Sequence, residues 1–366
     1  KPLHDWGYDN IEVEQNIILD KQKKLVKVKL QLKLMRPTYI RSITFHGNNY
    51  SSDYVLRHQL LLREGDIFSY ENMLLSQQRL NHLGYLKDIQ IYGEPVLDEN
   101  NQVDIHIHVK EKPSLKFSFN IGWVQDQGSM YGIDFSNNNF LGLGNAVSLS
   151  LQHTVTERDY RLYVTQPDLE HSGNALSYGV YMKFSKPGSY KVNTDSLYNS
   201  YLKDTQGAFV NYNYLLNNSW HFRAGLGMQK IKIKGFESSS NEVKDFLDGN
   251  GTKFNDTSVD ASFEYNDLNQ VILPSKGQYF SIGSNIHLPV FDDGLSYWKL
   301  NSHYVTYKPV GYQDVDKSFI LKFGGELSYA QPFAKKSMPF FANYFTGGIG
   351  SVKGYMYGSL GPRDSL

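Results

Sequence analysis

From Pro113 to about residue 329 the chain is written in steps of two. Apolar and polar residues alternate through eleven segments: 115–124, 129–138, 145–154, 158–166, 175–184, 201–215, 220–233, 257–265, 277–288, 296–309 and 319–329. In the eighth, Val259, Ala261, Phe263 and Tyr265 share one face, and Ser258, Asp260, Ser262 and Glu264 the other. In the eleventh, Phe319, Leu321, Phe323 and Leu327 oppose Lys322, Glu326 and Ser328. A soluble β-sandwich alternates too, with its apolar face packed inward. Length separates the two: soluble strands average about 5–6 residues, whereas a tilted membrane strand needs about 9–11. The segments therefore predict an antiparallel transmembrane β-barrel over 113–366.

Composition agrees. Mean hydropathy is −0.46, and no apolar run approaches the ~20 residues of a spanning helix. A barrel escapes that test, because alternation dilutes its average hydropathy. The 27 Tyr and 21 Phe suit the aromatic girdles of such barrels. The 37 basic and 37 acidic residues cancel, which gives no reason to expect a nucleic-acid partner. With no Cys, disulfide and thiol chemistry drop out. The chain does not begin with Met, so a processed or cut start is expected.

Residues 38–112 read as one small α+β unit. Ile40, Ile43 and Phe45 mark a strand ending at His46-Gly47-Asn48-Asn49, and Ser52 is placed to cap a helix carrying Val55, Leu56 and Leu60. A second helix starts near Ser69, carries Leu74, Leu75, Leu80 and Leu83, and stops at Gly84. Strands Lys87–Glu94 and Val103–Lys110 follow. Residues 1–37 repeat the second half of the unit, with Gly7-Tyr8 matching Gly84-Tyr85 ahead of strands near Ile11–Ile18 and Leu25–Leu34.

The β-α-α-β-β order, Phe45-x-Gly47-Asn48 and Arg79-Leu80-x-x-Leu83-Gly84-Tyr85 resemble a POTRA domain. Gly347-Gly348-Ile349-Gly350-Ser351-Val352-Lys353-Gly354-Tyr355, running on to Gly361-Pro362, resembles the lumen-inserting loop of the POTRA-barrel insertases of the bacterial outer membrane. Tyr265-Asn266-Asp267 with Pro274-x-x-Gly277 is similar to the same family. The resemblance implies the C-terminal half of one POTRA domain at 1–37, the last POTRA domain at 38–112, and about eleven of about sixteen barrel strands. It also implies further strands beyond residue 366. With the first barrel strand rising from the POTRA side, the long connections 185–200 and 234–256 fall on the outer side. The second has room for a short helix near Asn241–Leu247.

Site expectations follow from the same resemblance. The loop residues are Gly347, Gly348, Val352, Lys353, Gly354, Tyr355, Gly361 and Pro362, with Lys353 standing where the family carries Arg. Lys cannot make Arg's planar fork with a carboxylate. The first barrel strand, Leu115, Lys116, Phe117, Ser118, Phe119, Asn120, Ile121 and Gly122, is where the family's barrel opens sideways. An incoming strand would pair there by β-augmentation. Glu64 matches the acidic position that faces an accessory lipoprotein. The implied partners are unfolded outer-membrane β-barrel clients, accessory outer-membrane lipoproteins at the last POTRA domain, periplasmic chaperones and outer-membrane lipid. The implied location is the outer membrane, with the POTRA region in the periplasm. The implied function is folding and insertion of outer-membrane barrels; the alternative is a related translocator, a two-partner secretion pore or an autotransporter assembly factor. No catalytic constellation and no cofactor motif stand out, so no enzyme is expected. His106 and His108 share a strand face without an evident third ligand, so no metal is expected.

Overall fold

A computed structural model describes residues 11–20, 25–34, 37–96, 101–124, 128–169, 173–186, 190–192, 196–198, 201–217, 219–237, 239–270, 272–311, 319–333, 337–347, 351–355 and 360–361. They form two compact units. The first is Lys1–Leu115 together with the turn Asn138–Asn145; the second is Lys116–Asn137 with Ala146–Leu366.

In the first unit, β1 (Ile11–Asp20) and β2 (Leu25–Leu34) form an antiparallel hairpin in continuous register from Ile11↔Leu34 to Asp20↔Leu25. Gly7 and Tyr8 lie outside the described residues. Next come β3 (Tyr39–His46), α1 (Asp53–Arg57), α2 (Tyr70–His82), β4 (Leu86–Pro95) and β5 (Gln102–Glu111). The sheet order is β3-β5-β4, with β5 parallel to β3 and antiparallel to β4. The core is assembled from Ile40, Ile43, Leu56, Leu60, Leu80, Leu86, Ile105 and Ile107, so β3, α1, α2, β4 and β5 each contribute apolar side chains to one interior.

One local expectation is corrected. Ser52 occupies the N-cap of α1 but makes no side-chain cap; its N–H instead donates to the Gly142 carbonyl at 2.9 Å. Leu74 and Leu75 are exposed on α2, and the buried positions are Ser76 and Leu80. Ser76 earns that place by bonding: its Oγ donates to the Asn72 carbonyl and accepts from Leu61 N–H. Ser69 does cap α2, accepting from Asn72 N–H at 3.2 Å, and Gly84 follows with φ 75°. Gly47 is indispensable, since at φ 91° an added Cβ would lie 2.1 Å from the Val109 carbonyl oxygen.

The second unit holds an eleven-stranded antiparallel sheet. Its strands are β6 (Leu115–Val124), β7 (Gly128–Phe140), β8 (Asn145–Thr154), β9 (Glu157–Leu169), β10 (Asn174–Ser185), β13 (Tyr201–Leu215), β14 (Trp220–Gly235), β15 (Lys253–Asn266), β16 (Gly277–Leu288), β17 (Tyr297–Val310) and β18 (Phe319–Pro332). The spatial order follows the sequence from β6 to β18. Between β10 and β13, inside a stretch read as loop, β11 (Tyr190–Val192) and β12 (Ser196–Tyr198) pair as a separate small hairpin. The helix expected in the next long connection is α3 (Asn241–Asn250), with Ser240 Oγ accepting from Val243 N–H.

The two faces of this sheet explain its setting. Along β14, Phe222, Ala224, Leu226 and Met228 lie on one face with Trp220. They pair across β15 with Phe263, Ala261, Val259 and Thr257, while Trp220 pairs with Tyr265. Apart from the buried Thr257 that face is apolar and largely accessible, whereas the opposite one carries Ser258, Asp260, Ser262 and Glu264. Such an apolar outer band on a polar-lined sheet is the pattern of a membrane barrel. Beyond Met228 the pattern inverts without a register slip. Lys230, Lys232 and Lys234 now occupy the outer face, while Ile231 and Ile233 are buried on the inner one. The strand therefore leaves lipid near Met228 and continues as a soluble-type sheet. Its inner face there packs with Tyr201, Phe254 and Tyr297 against Val243 and Phe246 of α3 and Phe340 of a one-turn 3-10 helix, Phe340–Ala342. Phe340 stands edge-on to Tyr201 and Phe246, with centroids 4.8 and 5.4 Å away.

Candidate functional site

The predicted seam strand is β6, and it forms one edge of the eleven-stranded sheet. Leu115, Phe117, Phe119, Ile121 and Trp123 are all exposed, as an outer apolar row should be. The polar row between them reaches into the sheet. Asn120 Nδ2 donates to Asp134 Oδ2 at 2.6 Å, and Asp134 Oδ1 accepts from Ser150 Oγ at 2.6 Å. This three-strand chain ties β6 to β7 and β8 by side chains as well as by ladder bonds. Ser118 and Gly122 belong to the same polar row, and Lys116 begins it. Among the described residues β6 and β18 are the two edge strands of this sheet, and the free side of β6 carries a row of backbone donors and acceptors that a further strand can pair with.

The Gly-rich loop is closed at its base, where Leu360 N–H donates to the Thr346 carbonyl at 2.9 Å. Within it, Gly347 N–H donates to Ser351 Oγ at 2.9 Å, and Gly347, Gly354 and Gly361 have φ values of 120°, 92° and 118°. These dihedrals account for glycine at the three positions. Val352, Lys353 and Tyr355 are exposed. Lys353 takes part in none of the ion pairs found among the described residues. Gly348 and Pro362 lie outside the described residues.

Glu64 is tied inside its own domain. Its Oε1 accepts from Ile43 N–H at 2.9 Å and from Arg57 Nη1 at 3.3 Å. Arg57 also reaches Asp53 and the Ile43 carbonyl. Partial burial works against the Arg57 charge, but Asp53 and Glu64 together hold the guanidinium above its usual pKa. Nearby, Asp104 is gripped by Arg41 and Ser42, and these hydrogen bonds hold its carboxyl at about 2. Glu111 caps the turn after Gly47. Burial pushes its pKa up, but hydrogen bonds from Ser51 and from the Tyr50 N–H outweigh burial and hold it below the ordinary range.

Sequence reasoning missed two groupings. His106 and His108 are joined by His46 from the neighbouring parallel strand. The His46 ring stacks on His108 at 4.6 Å, and its Nε2 lies 3.4 Å from His106 Nδ1. The signal was the parallel pairing of β3 with β5, which period-two reading does not reveal. The other grouping is the turn Asn138–Asn145 packed in the first unit. Asn139 Nδ2 donates to Ser51 Oγ at 2.8 Å, while its Oδ1 accepts from Gly144 N–H at 2.8 Å. Gly142 sits at φ 74°, and a Cβ there would meet the Tyr50 carbonyl at 2.1 Å.

Comparison with known proteins matches this layout. Residues 139–365 match the model of the Omp85 superfamily domain, and residues 38–112 match the POTRA model described as a surface antigen variable number repeat. The outer membrane protein assembly factor BamA of Neisseria meningitidis serogroup B is 26% identical over 370 residues, covering 98% of this chain and 44% of its own length. BamA of Buchnera aphidicola is 26% identical over 239 residues, covering 64% of this chain and 37% of its own. This chain thus spans less than half of either relative. Among solved structures, BamA from Haemophilus ducreyi lacking POTRA domains 1–3 aligns with TM-score 0.83 at 23% identity, over 99% of this chain and 68% of that one. CdiB from Acinetobacter baumannii aligns at 0.54 and 18% identity, over 98% and 63%.

Proposed function

Because the chain belongs to the Omp85 superfamily, with its barrel in the outer membrane and its POTRA domain in the periplasm, we propose that it folds and inserts outer-membrane β-barrel proteins by offering β6 as a template strand. The observation that carries this reading is the place of β6 as the strand directly following the POTRA domain, with its apolar side chains outward and its polar row bonded to β7 and β8 through Asn120, Asp134 and Ser150. In lipid an unpaired strand edge is strongly unfavourable. A client strand that satisfies it is therefore held until its own next strand replaces the template. The driving force is the client's burial of apolar surface and its new hydrogen bonds, so no bond-breaking chemistry and no nucleotide enter. The loop around Lys353 would brace the barrel interior, and Glu64 would face an accessory lipoprotein. Periplasmic chaperones would deliver the client.

The absence of Cys from this sequence makes the test direct. Single cysteines replace Ser118 or Asn120 in the full-length protein, its remaining segments also made Cys-free. Each is crosslinked to a stalled client bearing Cys in its C-terminal strand. Crosslinks that follow a single strand register support templating. Crosslinks confined to lumenal positions, with none on β6, would favour the translocator reading instead.

A further inference from the structure

The connection between β15 and β16 is longer than its task. A hairpin on this side closes in about 2–5 residues; β13 to β14, at the same end of the sheet, is joined by Leu216–Ser219 alone. Residues 267–276 run on further, and the described ones among them are tightly rather than loosely bonded. Asp267 N–H donates to the Gln278 carbonyl and Asn269 N–H to the Lys276 carbonyl, both at 3.1 Å. Asn269 Oδ1 accepts from both Ser275 and Lys276 N–H, and Asn269 Nδ2 donates to Ser275 Oγ. Gln270 Nε2 closes the tip on the Leu273 carbonyl at 2.7 Å. Gly277 fits because any Cβ there would lie 2.5 Å from the Asp267 carbonyl.

All this scaffolding holds out two apolar side chains. Ile272 and Leu273 are 80% and 83% exposed, and Leu273 is held at φ 54°, a region that non-glycine residues occupy uncommonly and mostly in tight turns. Their position says what covers them. Toward this end of the sheet the outer face carries aromatics on four consecutive strands: Trp220, Tyr265, Phe280 and Tyr304, paired rung to rung. Trp and Tyr collect where lipid meets water. The tip leaves the sheet one residue after Tyr265. The opposite end of β14, by contrast, is ringed by Lys230, Lys232 and Lys234. We propose that Ile272 and Leu273 form a fixed lipid anchor, set into the headgroup boundary of the leaflet on the short-turn side.

The experiment uses the full-length protein in phosphatidylethanolamine–phosphatidylglycerol vesicles, with an environment-sensitive fluorophore on Leu273→Cys and, separately, on Ile272→Cys. A reporter on Ser219→Cys, in the short turn at the same end, gives the reference, and gel mobility before and after heating confirms a folded barrel. The expected result is blue-shifted emission at 272 and 273, with quenching by spin-labelled lipid severalfold stronger than at 219. Quenching of 273 by aqueous iodide to the same extent as 219 would overturn the anchor. So would shielding from both quenchers, which would mark a protein occupant.

Discussion

The POTRA domain and the barrel sheet are built from the same alternating strands and bury opposite faces. In β5 every second residue, Val103, Ile105, Ile107 and Val109, is buried beneath α1 and α2. In β14 every second residue from Phe222 to Met228 is turned outward, and Leu226 is 61% exposed. A water-facing exterior is the only difference needed: where water surrounds the strand the apolar row goes in, and where lipid does it goes out. β14 contains both cases in one continuous strand, because its apolar row moves to the inner face after Met228. The change of phase in Gly227-Met228-Gln229-Lys230-Ile231-Lys232-Ile233 is thus a reading of where the bilayer ends.

The comparison is most easily broken in the POTRA core. Leu80 is 0% exposed, and Leu80→Ala should destabilise the domain by about 2–5 kcal/mol. Urea unfolding followed by amide exchange at β3 and β5 measures it. A loss below about 1 kcal/mol would mean that this interior collapses around the gap and is not packed as described.

The next largest effect tests the outer face. Leu226→Arg, one outward residue inside the Met228 boundary, should cost about 1–2 kcal/mol, between the penalties at the midplane and at the interface, read from reversible folding into thin-bilayer vesicles. Lys230→Arg, four residues along the same face, should stay within about 0.5 kcal/mol. Equal penalties at the two positions would erase the boundary placed at Met228.

Much of this was legible because the barrel's alternation is local. All eleven strands stand where period two puts them, and β6, β8, β13 and β16 match to the residue. What was hidden is assembled across sequence. β15 begins at Lys253 rather than 257, since Phe254 packs inward on Phe246 of α3 and Asp256 inward on His287 and Gln229, so neither gives the outer apolar signal. The aromatic packing of Phe340 on Tyr201 and Phe246 joins three distant segments. Leu74 and Leu75 look like core by type, yet Ser76 is the buried neighbour, because its hydroxyl serves two backbone groups. Of the candidate site, the seam role of β6 was implied only by the family resemblance, whereas the positive φ of Gly354 could be anticipated from the Gly-flanked turn. The internal bonding of Glu64 could not, because it depends on how Arg57 and Ile43 meet in space.

A smaller effect separates the domains by pH. Asp104 is held at about 2 by Arg41 and Ser42, against about 3.9 for a free Asp. Its pKa is lower when folded, so its contribution is complete above pH ~4 and fades as pH falls toward 2. With Arg41 partly exposed, the contribution is about 1 kcal/mol. Asp104→Asn should therefore weaken the POTRA domain at pH 7 and match the parent near pH 2, in urea titrations tracked by POTRA amides. A difference that stays undiminished as pH falls through 2 would assign the effect to packing rather than charge.

The smallest stability change carries a sharp functional question. Glu64→Gln keeps a carbonyl for the Ile43 N–H but removes the charge facing Arg57, and that pair is about half exposed. Such pairs are worth about 0–1 kcal/mol, so the domain should lose no more than about 0.5 kcal/mol. If Glu64 also meets a lipoprotein partner, the same substitution should weaken capture of that lipoprotein far more than it weakens the fold, with a strong dependence on salt. Arg57→Gln supplies the contrast: it breaks the same internal pair but leaves the carboxylate free, so capture should persist or strengthen. If both variants lower capture in step with their small stability losses, Glu64 is a structural tie between β3 and α1, and the partner contact lies elsewhere on the domain.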